Sequence, residues 1–273
     1  MNEWGSEIAN GRRFEFGRNW NAFLSILDES RIREAENSLR KMLGLESMTG
    51  LTFLDVGCGS GLFSLAARRL GAIVHSFDFD PDSVACTRSL KQTFFRHDDH
   101  WRIDEGSALD TAYLAGLGKS DIVYSWGVLH HTGQMWAALE NVKSLVADDG
   151  ILFIAIYDDQ GWKSRAWWKV KRIYNGGTAG KLLVITVFVP AFVVKGLLFD
   201  LLKLRSPFAR YREKMQQRGM SMYYDWIDWL GGFPFEFAKD EEVVRFFSRD
   251  GFRLVKSNKL RKMNEFVFKA PAS

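Results

Sequence analysis

Three glycines in five positions, Gly57, Gly59 and Gly61, follow an apolar run at 51–56 that carries one acid, Asp55. A helix-like pattern starts at once with Leu62-Phe63-Ser64-Leu65-Ala66-Ala67 and is stopped by Gly71. Strand, glycine turn and helix, in that order, let the backbone approach a nucleotide and aim free N–H groups at a carboxylate or phosphate. The alternative is an ordinary tight turn between strand and helix. A second apolar run, 72–77, ends in Asp78, about 20 residues past the turn, where a carboxylate can accept from both hydroxyls of a ribose. A third group is the pair His130-His131, which closes the largely apolar stretch 121–129. Imidazole titrates near neutral pH and suits general-base work; the competing assignment is a histidine that caps a helix or bonds within the core.

Groups so far apart in sequence meet only if several strands end together. Strand-like runs at 51–56, 72–78, 101–104, 119–126 and 151–157 alternate with helical patterns at 62–70, 81–91 and 135–146, and Asp148-Asp149-Gly150 reads as the turn before the fifth strand. Pro81 is tolerated in the first turn of its helix. Such alternation predicts an α/β fold with a parallel sheet covered on both faces, whose ligands bind beyond the carboxyl ends of the strands. Gly57, Asp78, Ala108, Trp126 and Tyr157 fall at those ends. After a long departure, a helix at 239–250 and two alternating runs at 252–258 and 265–269 predict a final helix and an antiparallel edge hairpin. Ahead of the first strand, Ile32, Ala35, Leu39 and Leu43 recur at helical spacing. The segment 12–24 before them holds Trp20, a candidate to close the site or to staple the core.

Asp55-Val56-Gly57-Cys58-Gly59-Ser60-Gly61 resembles the first motif of class I S-adenosylmethionine-dependent methyltransferases. Leu62 stands where the dehydrogenase fingerprint has its third glycine, and the Lys-Ser/Thr ending of a P-loop is missing. Gly106-Ser107-Ala108-Leu109-Asp110 is similar to the family's adenine-bordering loop, and 121–131 to its fourth motif. The resemblance covers about 50–157 and 233–270. It implies a Rossmann-like, seven-stranded, mostly parallel sheet with an N-terminal helical extension and a helical insertion after the fifth strand. In domains, that is an extension or lid at 1–48, the cofactor domain at 49–158 and 228–273, and the insertion at 159–227. It also implies S-adenosylmethionine as cofactor. Gly57, Cys58, Gly59 and Gly61 would lie along its methionine part and Asp55 near its ammonium. Asp78 would take the ribose hydroxyls and Phe79 would pack on the adenine. Ala108 and Leu109 would border that ring, and Ser125 and Trp126 would line the methyl end. His131 and His130 then become the candidate bases beside the methyl position, with Tyr157 orienting the acceptor. Asp158 and Asp159 next to two histidines raise the question of a metal, but no H-x-x-x-H spacing supports one, and turn chemistry explains both acids. No metal is expected.

Composition separates the insertion from the body. The chain has 273 residues, 47% of them hydrophobic, and a net charge of +4. Between 163 and 218 there are thirteen basic and two acidic residues, a net +11, so the remainder carries −7. Trp162, Trp167, Trp168 and Tyr174 interleave with Lys163, Arg165, Lys169, Lys171 and Arg172. An almost apolar run follows, then another basic stretch with Lys203, Arg205, Arg210, Arg212, Lys214 and Arg218. The uninterrupted part of the apolar run, 182–194, falls short of the roughly 20 residues that span a bilayer. The segment 160–220 therefore reads as a helical subdomain on or dipping into an anionic membrane. A lid or homodimer interface with a solvated basic face is the alternative. Nucleic acid is disfavoured, because the apolar run interrupts the basic stripe. Two cysteines, Cys58 and Cys86, and an N-terminus without an apolar core predict a cytoplasmic protein, associated with the membrane if the first assignment of 160–220 holds.

The function expected from these features is methyl transfer to a hydrophobic or lipid-like acceptor, with a pattern similar to ubiquinone-type O-methyltransferases. The alternatives are a methyltransferase of a soluble small molecule or of RNA, and a non-catalytic protein that only binds the cofactor.

Overall fold

The computed structural model describes residues 3–15, 17, 24, 27–203, 206, 222–260 and 262–272. Trp20 and the basic residues Arg205, Arg210, Arg212, Lys214 and Arg218 lie outside them. The chain divides into two compact units, one of 28–160 with 236–273 and one of 1–27 with 161–235.

The first unit opens with α1 (Glu29–Leu43). Asp28 caps it by accepting from the Arg31 amide, and Gly44 ends it at φ +70°. Its buried face is the stripe expected from spacing: Ile32, Ala35, Leu39 and Leu43. Arg69 ties it down through Glu29 at 2.6 Å and Glu36 at 2.8 Å. This helix therefore belongs with the sheet, whereas the sequence grouped it with a leading extension at 1–48.

The sheet alternates as predicted: β1 (Thr52–Val56), α2 (Leu62–Arg69), β2 (Ile73–Asp78), α3 (Pro81–Phe94), β3 (Trp101–Glu105), α4 (Thr111–Ala115), β4 (Ser120–Trp126), α5 (Met135–Ser144) and β5 (Val146–Tyr157). The helix α6 (Asp240–Ser248) and the strands β6 (Arg253–Lys259) and β7 (Met263–Lys269) complete it. The order is β3-β2-β1-β4-β5-β7-β6. The first five strands run parallel, β7 is antiparallel to β5, and β6 pairs with β7 at the edge. The chain steps outward from β1 to β2 and β3, then crosses back to β4 on the other side of β1, so the order reverses there and the crevice for a ligand opens between the ends of β1 and β4. Leu54, Val56, Val123, Leu139, Ile154 and Phe268 form part of one continuous core around the sheet.

One predicted boundary moves. The turn expected at 148–150 lies inside β5, which starts at Val146. The C-terminal segment splices it into the sheet: the Asp149 amide donates to the Pro271 carbonyl (3.0 Å), and the Ala270 amide to that of Gly150 (2.9 Å). Asp149 takes φ +55° to accommodate this.

The other unit contains α7 (Glu3–Ala9), α8 (Trp162–Asn175), α9 (Thr178–Leu202) and α10 (Met222–Gly231). Tyr174, Val184 and Leu230 form its buried centre, with Phe14, Trp167 and Phe192 packed around them. Asn175 donates to the Gly231 carbonyl at 2.8 Å. Lys171, 1% exposed, donates to the Trp229 carbonyl and lies 4.4 Å from the Trp229 ring centroid. The apolar run forms one 25-residue helix that continues through Pro190, Lys195 and Asp200. By length and composition alone α9 is long enough to cross a membrane, where the interrupted sequence run had looked too short. Lys195 stays exposed and Asp200 turns inward, so neither charge ends the helix.

Candidate active site

The glycine turn is held by its neighbours as much as by its own sequence. The amides of Gly57 and Cys58 both donate to the Phe77 carbonyl, at 2.9 and 3.1 Å, which fixes the turn against β2. Gly57 has φ +79°, and a Cβ there would sit 2.4 Å from a methyl of Val128. Gly61 also has φ +79°, and its Cβ would meet the Thr87 hydroxyl at 2.8 Å. Glycine is thus required twice, for conformation and for space. Thr87 reaches the turn again by donating to Cys58 Sγ at 3.2 Å. Burial pushes the Cys58 thiol well above its ordinary value, with the charges of Asp78 and Asp55 adding to the effect, so it stays protonated.

Asp78 stands at the end of β2 beside this turn. Its Oδ2 accepts from the Gly59 amide (2.9 Å) and its Oδ1 from the Asp80 amide (2.9 Å). The carboxylate is therefore aimed by backbone on both sides. Phe79 follows it, half-buried. Asp55 lies beneath the turn, 2% exposed. Ser64 donates to it, Ser64 and Ser76 share a hydrogen bond of 2.7 Å, and Trp101 Nε1 donates to Ser76 at 2.9 Å. Burial, with Asp78 adding, raises the Asp55 carboxyl to about 7, and the Ser64 bond opposes this.

The adenine-loop candidates are pinned from outside. The Ala108 carbonyl accepts from Asn141 Nδ2 of α5 at 2.8 Å, and the Leu109 amide donates to Ser107 Oγ at 3.1 Å. A Cβ at Gly106 would strike the Tyr113 ring at 2.3 Å. Ser125 is fully buried and donates to the Val56 carbonyl at 2.9 Å, so its side chain ties β4 to β1. Trp126 donates through Nε1 to Glu265 of β7 at 2.8 Å, and Asn258 holds the other oxygen of that carboxylate at 2.8 Å.

Beyond β4 the chain turns through a short 3-10 segment, Leu129–His131. It carries His130 against Tyr157, ring centroids 4.0 Å apart, with His131 4.5 Å from His130 and 5.5 Å from Tyr157. The three candidate catalytic side chains therefore meet at the ends of β4 and β5. Glu236 supports them: its amide donates to the His130 carbonyl (2.9 Å), and its carboxylate accepts from the Met135 amide at 3.1 and 3.0 Å. Burial raises the Glu236 carboxyl above its ordinary value, against hydrogen bonds from Met135 and Gly133. Asp158 and Asp159 are tied into the backbone by bonds to Lys262 and Ala238, at 3.1 Å each. Among the described residues no group of three His, Cys, Asp or Glu side chains could hold a metal.

Sequence reasoning missed Glu236, Glu265, Thr87 and Asn141. All four bond to segments distant in the chain, and none stands in a motif.

The methyltransferase domain family matches residues 27–184. The chain belongs to the class I S-adenosylmethionine-dependent methyltransferases. Ubiquinone biosynthesis O-methyltransferase of Glaesserella parasuis is 29% identical over 106 residues, 39% of this chain and 45% of the relative. That of Rhodopseudomonas palustris strain TIE-1 is 27% identical over 143 residues, 52% of this chain and 53% of the relative. The chain thus spans about half the length of the curated relatives it matches. Magnesium protoporphyrin IX methyltransferase from Synechocystis PCC 6803, solved with bound SAH, is similar in fold, with a TM-score of 0.52 and 15% identity over 88% of this chain and 83% of that one. A putative methyltransferase from Haloferax volcanii, solved with its Trm112 activator, reaches a TM-score of 0.55 at 14% identity over 96% of this chain and 98% of that one.

The residues present fit the family's cofactor. A braced carboxylate faces outward at the end of β2, a glycine turn leaves no room for side chains, and the N-terminus of α2 opens directly behind it.

Proposed function

We propose that this protein methylates an oxygen of a lipophilic acceptor at the membrane surface, on its cytoplasmic face. The observation that carries the reading is the meeting of His130, His131 and Tyr157 beyond the glycine turn. S-adenosylmethionine, when bound, supplies a methyl group on a sulfonium. Asp78 holds the ribose, and the turn at 57–61 lies along the methionine. A weakly acidic hydroxyl must lose its proton as it attacks, and His131, 8% exposed, is the more accessible imidazole to take it. His130, fully buried between His131 and Tyr157, positions its neighbour. Tyr157 orients the acceptor. In-line positioning supplies the rest of the acceleration.

The names of the curated relatives support oxygen as the acceptor atom. The exposed apolar residues of α9 support a lipophilic acceptor.

The test is the full chain incubated with S-adenosylmethionine and an alkyl- or prenyl-substituted catechol, with S-adenosylhomocysteine as readout. His131→Asn is expected to lower kcat by about 10²- to 10⁴-fold while cofactor affinity is kept. Turnover unchanged in that variant removes His131 as the base. Failure of every phenolic acceptor, with cofactor binding intact, removes O-methylation.

A further inference from the structure

We infer that the helical unit inserts α9 into one leaflet of an anionic bilayer and does not cross it. The inference extends the acceptor reading above. Lipid binding and methyl transfer are measured separately, so either can fail without the other.

The first observation is that α9 is apolar all round. Its most apolar 18-residue window has a mean hydropathy of 2.5, and only 11% of that window is buried. One side, with Val184, Phe188 and Phe192, packs within the unit. The opposite side carries Leu183, Val187, Val194 and Leu198, each 53–57% exposed. Four such residues at seven- and four-residue spacings make a continuous stripe, whereas scattered exposed hydrophobics are ordinary. The polar groups of the helix are compatible with hydrocarbon. The Thr186 hydroxyl donates to the carbonyls of Leu182 and Leu183 at 2.9 and 3.0 Å, so it carries its own partners into lipid. Asp200 is 1% exposed, away from the stripe. Lys195 is exposed and long enough to reach the headgroups.

Charge identifies the lipid. The exposed side chains of α8 include Lys163, Arg165, Lys169 and Arg172, and Trp162 among them is 72% exposed. Lys181 lies in the first turn of α9 and Lys203 directly follows its end, both exposed. Aromatics and cations beside an apolar helix match the interfacial region of a negatively charged leaflet.

Chain topology then decides between crossing and lying in one leaflet. At about 1.5 Å per residue α9 is about 37 Å long, enough for a hydrocarbon core of about 30 Å. Yet the helical unit leaves the sheet unit at 160 and rejoins it at 236. A single crossing would leave the chain on the far side, and it would have to return. The next segment, 204–221, carries Arg205, Arg210, Arg212, Lys214 and Arg218 and cannot traverse hydrocarbon. The ten residues of α10 cover about 15 Å, half the distance required. Its Trp226 ring packs beside Phe192 of α9, centroids 5.7 Å apart. Entry and exit are therefore on one side.

The experiment is flotation of the full chain with vesicles of equal parts phosphatidylglycerol and phosphatidylcholine. Val187→Asp combined with Val194→Asp is expected to weaken partitioning by about tenfold or more. An unchanged helix content by circular dichroism shows that the helical unit of the variant is folded, and retained binding of S-adenosylmethionine shows the same of the sheet unit. Ile73→Asp, at an exposed position of β2, serves as the control and should float like the parent. Equal flotation of the parent and the double variant overturns the insertion. Equal flotation on phosphatidylcholine alone overturns the charge assignment. A dimer that the double variant dissociates, with no flotation of the parent, assigns the stripe to a second copy and overturns the proposal. For topology, Arg210→Cys in vesicle-bound protein is treated with an impermeant maleimide. Full labelling without detergent is expected; protection until detergent is added means that α9 crosses.

Discussion

Replacing Asp55 by asparagine should stabilise the protein at neutral and alkaline pH, by an amount that follows from where the carboxyl sits. Asp55 is 2% exposed under the glycine turn, with Ser64 as its donor. Burial moves its pKa from the ordinary 3.8 to about 7, the charge of Asp78 adds to that rise, and the Ser64 bond opposes it. Between those two values the folded chain holds a proton that the unfolded chain has released. Stability from this group therefore falls as pH rises through the window and levels off above it. A gap of about 3 pH units, at about 1.36 kcal/mol each, comes to about 4 kcal/mol. Asparagine reproduces the neutral acid in shape and still accepts from Ser64. The assay is denaturant unfolding of parent and Asp55→Asn across the range, without cofactor. The two stability curves should meet near about pH 4 and differ by about 4 kcal/mol at about pH 8. Curves that stay parallel would show that Asp55 does not titrate in this window, and the burial argument would fail with them.

Asp78→Ala should cost at least about tenfold in S-adenosylmethionine affinity, because it removes the ribose acceptor and the brace on the Gly59 amide together; titration calorimetry reads it directly, and unchanged affinity would sink the cofactor assignment. Glu236→Gln should destabilise by about 1–2 kcal/mol in thermal or chemical unfolding, since an amide nitrogen then faces the Met135 N–H. The same variant should lose more kcat than cofactor affinity, as the turn carrying His130 and His131 loosens; equal losses would make Glu236 merely structural.

The legible parts of this chain were those whose cause is local. Gly57 to Gly61 and Asp78 could be read because a left-handed turn and a strand-ending acid leave marks within a few residues of themselves. The strands β1 to β4 fell within two residues of their predicted ends, since apolar runs bounded by Gly, Pro and Asp carry their own punctuation. The start of β5 did not, because the partners that hold Asp149 and Gly150 in the sheet are Pro271 and Ala270. The length of α9 was misjudged for a related reason. Lys195 and Asp200 read as interruptions in a string of letters, whereas in the helix one points to solvent and the other inward. The motif that singled out Ser125 did not show its structural bond, the hydroxyl donating to the Val56 carbonyl.

By itself, the order of residues determined the alternating α/β architecture, the strand ends where a ligand would sit, and the separation of a basic, apolar insertion from an acidic body. These follow from periodicity, turn chemistry and composition, all short-range properties. Only tertiary structure decided that His130, His131 and Tyr157 touch, that Glu236 holds the Met135 amide from 101 residues away, and that Glu265 holds Trp126 from 139. It also decided that Asp55 is sealed beneath the turn it precedes. Hydrogen bonds and burial between distant segments depend on which surfaces the fold brings face to face, and no local pattern encodes that pairing.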